Sequence, residues 1–486
     1  MSTRALWILI AAFCVSVLVR LPQLDRPLSA HHEYCTAFTL IALNNWYANG
    51  FAHHHGMPSG GFISEGERFL PPDMSRNDRA LALYYFSHPP LAYDLPYALF
   101  SLLGKAPNVL GLQLFNLFFH LVCAIALFHV VREVVGPTPT EAPLFAAVLY
   151  LFMPAPLWFH SNVYMSDMFV QNFWVVHVVF AMRLFKQRTR VPNSLMAAFG
   201  VTLFLTVYTS WLGVFAAATA IVLAFWGWRK NRSPRFASVV AVSIIAVLLA
   251  LGLTAWRYLQ VIDAEALFAH FGQRFDARGS FALPHGIGPH LRQLLVNYRI
   301  GYLPVVVLLL LVYALRRWRW SASVDVPNMP LFLALAGLPV LLDHSVLLQY
   351  ADHDFAALKA GPILCGLAGV GLASLPRRLS VGAMATTCVA GVLYFYRTNP
   401  CSPADAVRYR QEMELGHFIA AQAYTDEMIF AIGVSTEPQV AWYAKRNVIG
   451  VRGVGDVARY MNEAEIDRAV IIVMRNGSWT VDHRVR

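Results

Sequence analysis

Two acidic residues are the first candidates for chemistry. Glu33 stands in SAHHEYCT, a turn or two beyond the first apolar stretch, with His31, His32 and Tyr34 beside it. A carboxylate held where lipid meets water has a raised proton affinity and can act as a base. The plain alternative is an interfacial acid that simply faces water. Asp167 follows SNVYMS and opens the apolar run MFVQNFWVVHVVFAM. An acid at that place also serves as a helix cap, worth about 1 kcal/mol. If both acids reach one outer cavity they can divide the work, one accepting a proton and the other orienting or holding charge.

A second group of residues suits an anion. His88 precedes Pro89 and Pro90, which keep it extended and out of any helix. A cationic or hydrogen-bonding side chain fixed there can meet a lipid phosphate. Lys359 and Arg299, near expected outer helix ends, are further phosphate candidates, with snorkelling to the interface as the alternative for each. The remaining histidines include His53, His54, His55, His344 and His353. None has the HxxxH or HExxH spacing that sets two imidazoles on one helical face. Adjacent residues such as His31 and His32 diverge by about 100° on a helix. The chemistry proposed for these residues needs no cofactor, and a divalent metal held by the histidines is the less favoured alternative for want of ligand spacing.

These side chains must be positioned by a membrane scaffold. The chain has 486 residues, 57% hydrophobic and 14% charged, whereas soluble domains carry about 25% charged residues. Mean hydropathy is +0.50. Repeated apolar stretches of helical rather than barrel-strand length define a polytopic α-helical membrane protein. The net charge of +10 does not point to nucleic acid, because the basic residues form short runs after apolar segments. Arg183, Lys186, Arg188 and Arg190 make one run, and Arg229, Lys230, Arg232 and Arg235 another. Arg316, Arg317 and Arg319 make a third, and Arg377 with Arg378 a fourth. Such runs mark cytoplasmic loops.

Charge runs and apolar lengths together predict about eleven spans: 5–21, 107–134, 143–160, 167–185, 194–209, 211–228, 236–256, 301–315, 330–348, 356–375 and 380–397. The first reads as a retained span, since no small-residue cleavage site follows it. With the N-terminus inside, every basic run is cytoplasmic and the C-terminus lies outside. Residues 1–397 then form the transmembrane part, with outer loops at 22–106 and 257–300. The apolar segment 89–104 is short and proline-interrupted, so it should lie in the interface or re-enter. Residues 398–486 alternate helical and strand patterns, with strands at 428–433, 448–451 and 467–474, and predict a small extracytoplasmic α/β domain with a parallel layer. Of the six cysteines, Cys35 and Cys401 fall in outer segments and could pair, though no spacing requires it.

The order of these motifs resembles the C-class glycosyltransferases that use polyprenyl-phosphate sugars. The likeness is nearest to protein O-mannosyltransferases and lipid A aminoarabinose transferases. It rests on HHEYCTAFTLI, YYFSHPPLAYDLPYALFSLLG and SNVYMSDMF within the first 190 residues, with a weaker match at YADHDF. The resemblance implies inverting transfer of a sugar to an acceptor hydroxyl, with Glu33 as base and Asp167 in support. His88 stands where the family more often has a lysine on the donor phosphate, and His32-Glu33 where it often has Asp-Glu. His32, Tyr34, Tyr85 and His353 fall to sugar or acceptor binding. Partners would be a polyprenyl-phosphate-linked sugar, an acceptor glycan, lipid or protein, and the bilayer. Localisation would be a bacterial inner membrane, with the site on the periplasmic or extracellular side. The competing reading is a lipid or glycan transporter or flippase. Transporters bury charge at the midplane and often repeat internally. No repeat is visible here, and Asp343 with His344 is the one notable acid-histidine pair within an expected span.

Overall fold

The computed structural model describes residues 1–28, 31–136, 141–187, 191–280, 283, 286–317, 326–399 and 410–485. Arg188, Arg190, Arg319 and Cys401 lie outside the described residues. Among the described residues nine helices are long and apolar enough to cross a membrane, beginning with Thr3–Gln23 and ending with Arg377–Thr398. Two more apolar helices, Ala142–Phe152 and Asn193–Val207, are shorter. All eleven expected spans are helical, and the chain is a multi-pass membrane protein.

Two of the expected boundaries differ for local reasons. The segment expected as one span at 143–160 is broken in two. Pro154 removes a backbone donor and clashes with the preceding turn, so Ala142–Phe152 ends at an extended Met153 and a short helix Pro154–Phe159 follows. The expected end of the second outer loop at residue 300 falls inside a helix. Helix Ile287–Arg317 is continuous through the expected boundary, and Asn297 anchors it by donating to the carbonyls of Ala351 and His353 at 2.7 and 3.1 Å. Segment 89–104 forms helix Leu91–Leu102 with Pro96 inside. Twelve residues rise only about 18 Å, too short for a hydrocarbon core of about 30 Å.

Packing separates an inner from an outer set of spans. In helices Val109–Val135, Ser166–Lys186 and Asp354–Ala373, most of the apolar window is buried inside the protein, whereas Thr3–Gln23 and Arg377–Thr398 leave most of theirs for lipid. Close approach depends on small residues. A Cβ on Gly369 would sit 2.6 Å from the carbonyl of Ala142, and one on Gly391 2.3 Å from that of Phe152.

The first outer loop folds into helices Tyr34–Asn49, Ile63–Arg68, Arg76–Leu83 and Leu91–Leu102. The second contributes helix Ala264–Arg278. The C-terminal region is α/β, with strands β1 (Met428–Ile432), β2 (Ile449–Gly450), β3 (Arg468–Arg475) and β4 (Ser478–Val485) in the order β2-β1-β3-β4. β1 pairs in parallel with β2 and β3, the layer expected from the sequence. β4 is an addition, antiparallel to β3. Its hairpin turns on Asn476-Gly477, both with positive φ, the dipeptide that best matches the twist of a two-residue turn. The region is tied to the first outer loop. Phe62 N donates to Asn447 Oδ1 at 2.7 Å, Asn447 Nδ2 donates back to Phe62 O at 2.8 Å, and Glu65 accepts from Arg446 and the Asn447 backbone.

Candidate active site

A cavity of about 810 Å³ opens among the first outer loop, the start of helix Ser166–Lys186, helix Ala264–Arg278 and the segment 343–359. A fixed cluster of charge forms one wall. Lys359, fully buried, places Nζ 2.7 Å from Asp343 Oδ2 and 3.2 Å from Asp167 Oδ1. Tyr350 donates its hydroxyl to Asp167 Oδ2 at 3.0 Å and Ser210 donates to Oδ1 at 3.5 Å. His88 Nε2 stands 3.9 Å from the same Oδ2. An unpaired charge here would be untenable, and two carboxylates around one ammonium satisfy it. Asp343 Oδ1 is left without a hydrogen bond among the described residues.

Local sequence explains how each group arrives. Met165 is extended and Ser166 begins the helix, so Asp167 sits in the first turn, where the helix dipole favours an anion. Pro89-Pro90 hold His88 outside the following helix, and Tyr258 donates its hydroxyl to the His88 carbonyl at 2.6 Å. Burial pushes the His88 imidazole below its ordinary value against the pull of Asp167. It is therefore a neutral hydrogen-bonding group near pH 7. Burial also pushes the Cys35 thiol, another lining group, up to about 12, which rules out thiolate chemistry there.

The rest of the lining is largely apolar and cationic. Helix Ala264–Arg278 presents Phe268, Phe271 and Phe275 together with Arg274 and Arg278. Arg278 lies 5.5 Å from the Tyr350 ring centre, with a guanidinium nitrogen 3.3 Å from His353 Nε2. Lining cations (Lys359, Arg274, Arg278) thus outnumber lining carboxylates (Asp167, Asp343). The surplus lies with the two arginines, because Lys359 is already matched by two acids.

Of the residues singled out from the sequence, Asp167, His88, Lys359, Tyr34, Tyr85 and His353 line this one cavity. Glu33 does not. Its carboxylate is fully buried in a bidentate pair with Arg26, at 2.8 and 3.0 Å, and Asn162 Nδ2 donates to it at 3.2 Å. The turn at 31–33 aims Tyr34 and Cys35 at the cavity and Glu33 into this closed polar pocket. The expected convergence of Glu33 and Asp167 on one hollow is corrected accordingly. Arg299 is exposed on its helix and lines no part of the cavity. His32 sits behind His353, their ring centres 5.5 Å apart. Sequence reading missed Arg274, Arg278, Tyr350 and Ser210. The spacing of phenylalanines and arginines in AEALFAHFGQRFDAR was the available signal for the first two. The weak match at YADHDF includes Tyr350 without giving it a role, and nothing local marks Ser210.

No protein-family model and no curated protein matches this sequence. Solved structures do match its fold. ArnT from Cupriavidus metallidurans with undecaprenyl phosphate bound aligns with TM-score 0.66 at 13% identity, covering 98% of each chain. Its apo state aligns with TM-score 0.58 at 12% identity, covering 99% of this chain and 98% of that one. The oligosaccharyltransferase AglB from Archaeoglobus fulgidus, in complex with an inhibitory peptide and a dolichol-phosphate, aligns with TM-score 0.58 at 11% identity, covering 97% of this chain and 69% of that one. The chain therefore has the fold of the C-class membrane glycosyltransferases.

Proposed function

We propose that this protein is an integral-membrane glycosyltransferase that moves a sugar from a polyprenyl phosphate to an acceptor hydroxyl on the extracytoplasmic side. The observation that carries this reading is the buried Asp167–Lys359–Asp343 cluster lining one cavity together with arginines and phenylalanines. Such a cavity suits a substrate with an anionic head and a hydrocarbon tail. The fold neighbours solved with undecaprenyl phosphate and dolichol-phosphate agree with that chemistry.

In this reading Asp167, rather than Glu33, is the base. Among the described residues its Oδ2 accepts a hydrogen bond from Tyr350 alone, so a lone pair remains for an incoming hydroxyl. As the anomeric C–O bond breaks, its electron pair leaves with the phosphate, which needs no proton. The acceptor oxygen bonds to the anomeric carbon from the opposite face and its proton passes to Asp167. Arg274 and Arg278 hold the phosphate, aided by a hydrogen bond from neutral His88, and the fixed charges act without reorganising. Lys359 with Asp343 keeps Asp167 ionised and oriented. Tyr34, Tyr85 and His353 border the space for the sugar and acceptor. The phenylalanines of helix Ala264–Arg278 receive the first isoprene units.

The test is sugar transfer by the full-length protein in lipid, using a polyprenyl-phosphate sugar and a panel of hydroxyl acceptors. Asp167→Asn should abolish transfer while preserving donor binding. Full turnover by that variant, or vectorial lipid movement without any glycosidic product, would reject the reading.

A further inference from the structure

The structure assigns a divalent-cation site to His31, His32 and Asp354, with zinc as the best-matched ion. Their ligand atoms all lie within 4.8 Å of one another. His31 Nε2 is 2.6 Å from Asp354 Oδ2 and His32 Nε2 is 2.9 Å from Asp354 Oδ1. Adjacent histidines diverge on a helix, but these two are not helical. Both have positive φ, 20° and 61°, and this left-handed turn swings consecutive rings to one side, their centres 5.0 Å apart.

His31 Nε2 and Asp354 Oδ2 form a hydrogen bond, whereas among the described residues the His32 side of the cluster is left without one. Asp354 Oδ1 is buried and accepts no hydrogen bond in acceptable geometry among the described residues, although His32 Nε2 is beside it. A nitrogen and an oxygen that close without N–H···O alignment can both direct lone pairs at a third point. Two imidazoles and a carboxylate are a zinc donor set. With ligand distances of about 2.0–2.2 Å, tetrahedral donor atoms lie roughly 3.3 Å apart, so the two nitrogen–oxygen contacts must lengthen to admit the ion. His31 is partly exposed, which leaves a fourth position for water. The backbone behind it is held, since Trp158 Nε1 donates to the His31 carbonyl at 3.1 Å.

The cation would work as a clasp. Residues 31 and 32 belong to the first outer loop, and Asp354 begins the 3-10 segment Asp354–Ala360 that delivers Lys359 to the charge cluster. Its neighbours His353 and Phe355 line the large cavity. Joining the loop to this segment fixes one wall of the site without placing the ion among its reacting groups. The site stands whether or not the sugar-transfer reading holds.

Zinc(II) alone is the probe. Full-length protein stripped with a chelator should bind one equivalent by titration calorimetry and gain thermal stability on binding. Asp354→Asn should weaken binding at least about a hundredfold and lose the thermal gain, and His31→Ala should do the same. A His53→Ala/His55→Ala control should bind as wild type. Cobalt(II) in the wild-type site should show the visible bands of a tetrahedral ion. If Asp354→Asn fails to fold, His31→Ala decides, because its ring is partly exposed. Substoichiometric binding by the wild type, wild-type affinity in either the Asp354 or the His31 variant, or loss only in the His53/His55 control would overturn the proposal.

Discussion

Glu33 and Asp167 are both fully buried carboxylates paired with a buried or nearly buried cation, yet they sit in different kinds of space. Glu33 is closed in by Arg26 and Asn162, with Gln23 bracing the arginine through a 2.8 Å hydrogen bond. Asp167 is held just as firmly by Lys359, Tyr350 and Ser210, but it borders a cavity large enough for a substrate. Burial and ion pairing are common to both and so do not distinguish a structural acid from a reactive one. Access does. The sealed pair joins the end of the first span to the outer loop, whereas the open pair spends its ordering on a surface that something else can reach.

Mutation should separate the two most sharply in turnover. Asp167→Asn is expected to cut sugar transfer by about 10²–10⁴, the usual worth of a positioned base, with donor affinity retained in equilibrium binding. Folded Glu33→Gln protein should transfer sugar at a rate near wild type. A Glu33→Gln variant that stays folded, binds donor and does not turn over would reverse the assignment. The next largest effect is on stability. Glu33→Ala strands Arg26 in a closed pocket, and breaking such a pair costs about 3–5 kcal/mol, read as a lowered denaturation midpoint in detergent.

Smaller effects sharpen the account of the open side. Arg274→Ala and Arg278→Ala should each raise the donor KM by about tenfold, as expected for losing one charge-assisted bond of 1.5–3 kcal/mol at a partly solvated site, with kcat changed less. Equal donor KM in both variants and wild type would place the phosphate elsewhere. The smallest effect is in pH. His88 has a proton affinity lowered by burial, so the folded state binds its proton more weakly than the unfolded chain. Its contribution to stability is complete above the unfolded value of about 6.5 and is lost as pH falls through it. Thermal midpoints measured from pH 7.5 to 5.5 should therefore drop further in wild type than in His88→Asn.

The membrane part was largely legible from the chain. Hydropathy length located all eleven apolar helices because a span must bury its backbone groups internally and must match the bilayer. The break at Pro154 was also written locally. Strands β1, β2 and β3 followed from short apolar runs between helical patterns. β4 was overlooked although Asn476-Gly477 announces a hairpin, since SWTVDHRV alternates weakly and lies mostly at the surface. The site was half legible. Acids, histidines and tyrosines at the outer ends of spans did gather around one cavity, but Glu33 was placed in it wrongly, and Tyr350, Ser210 and the arginine pair were not foreseen.

Composition, apolar length and prolines determined by themselves that this chain crosses the membrane many times, where its helices stop, and which polar residues sit near the water. These are one-dimensional properties, fixed by what a segment costs in lipid and by what its backbone can adopt. Tertiary structure alone decided that Lys359 stands between Asp167 and Asp343, that Glu33 faces Arg26, and that a left-handed turn brings His31 and His32 onto Asp354. Those outcomes depend on which way a side chain points and, for Asp167 with Lys359 and for His31 and His32 with Asp354, on what segments more than a hundred residues away place opposite it; charge pairing in a low-dielectric interior is set by those distances.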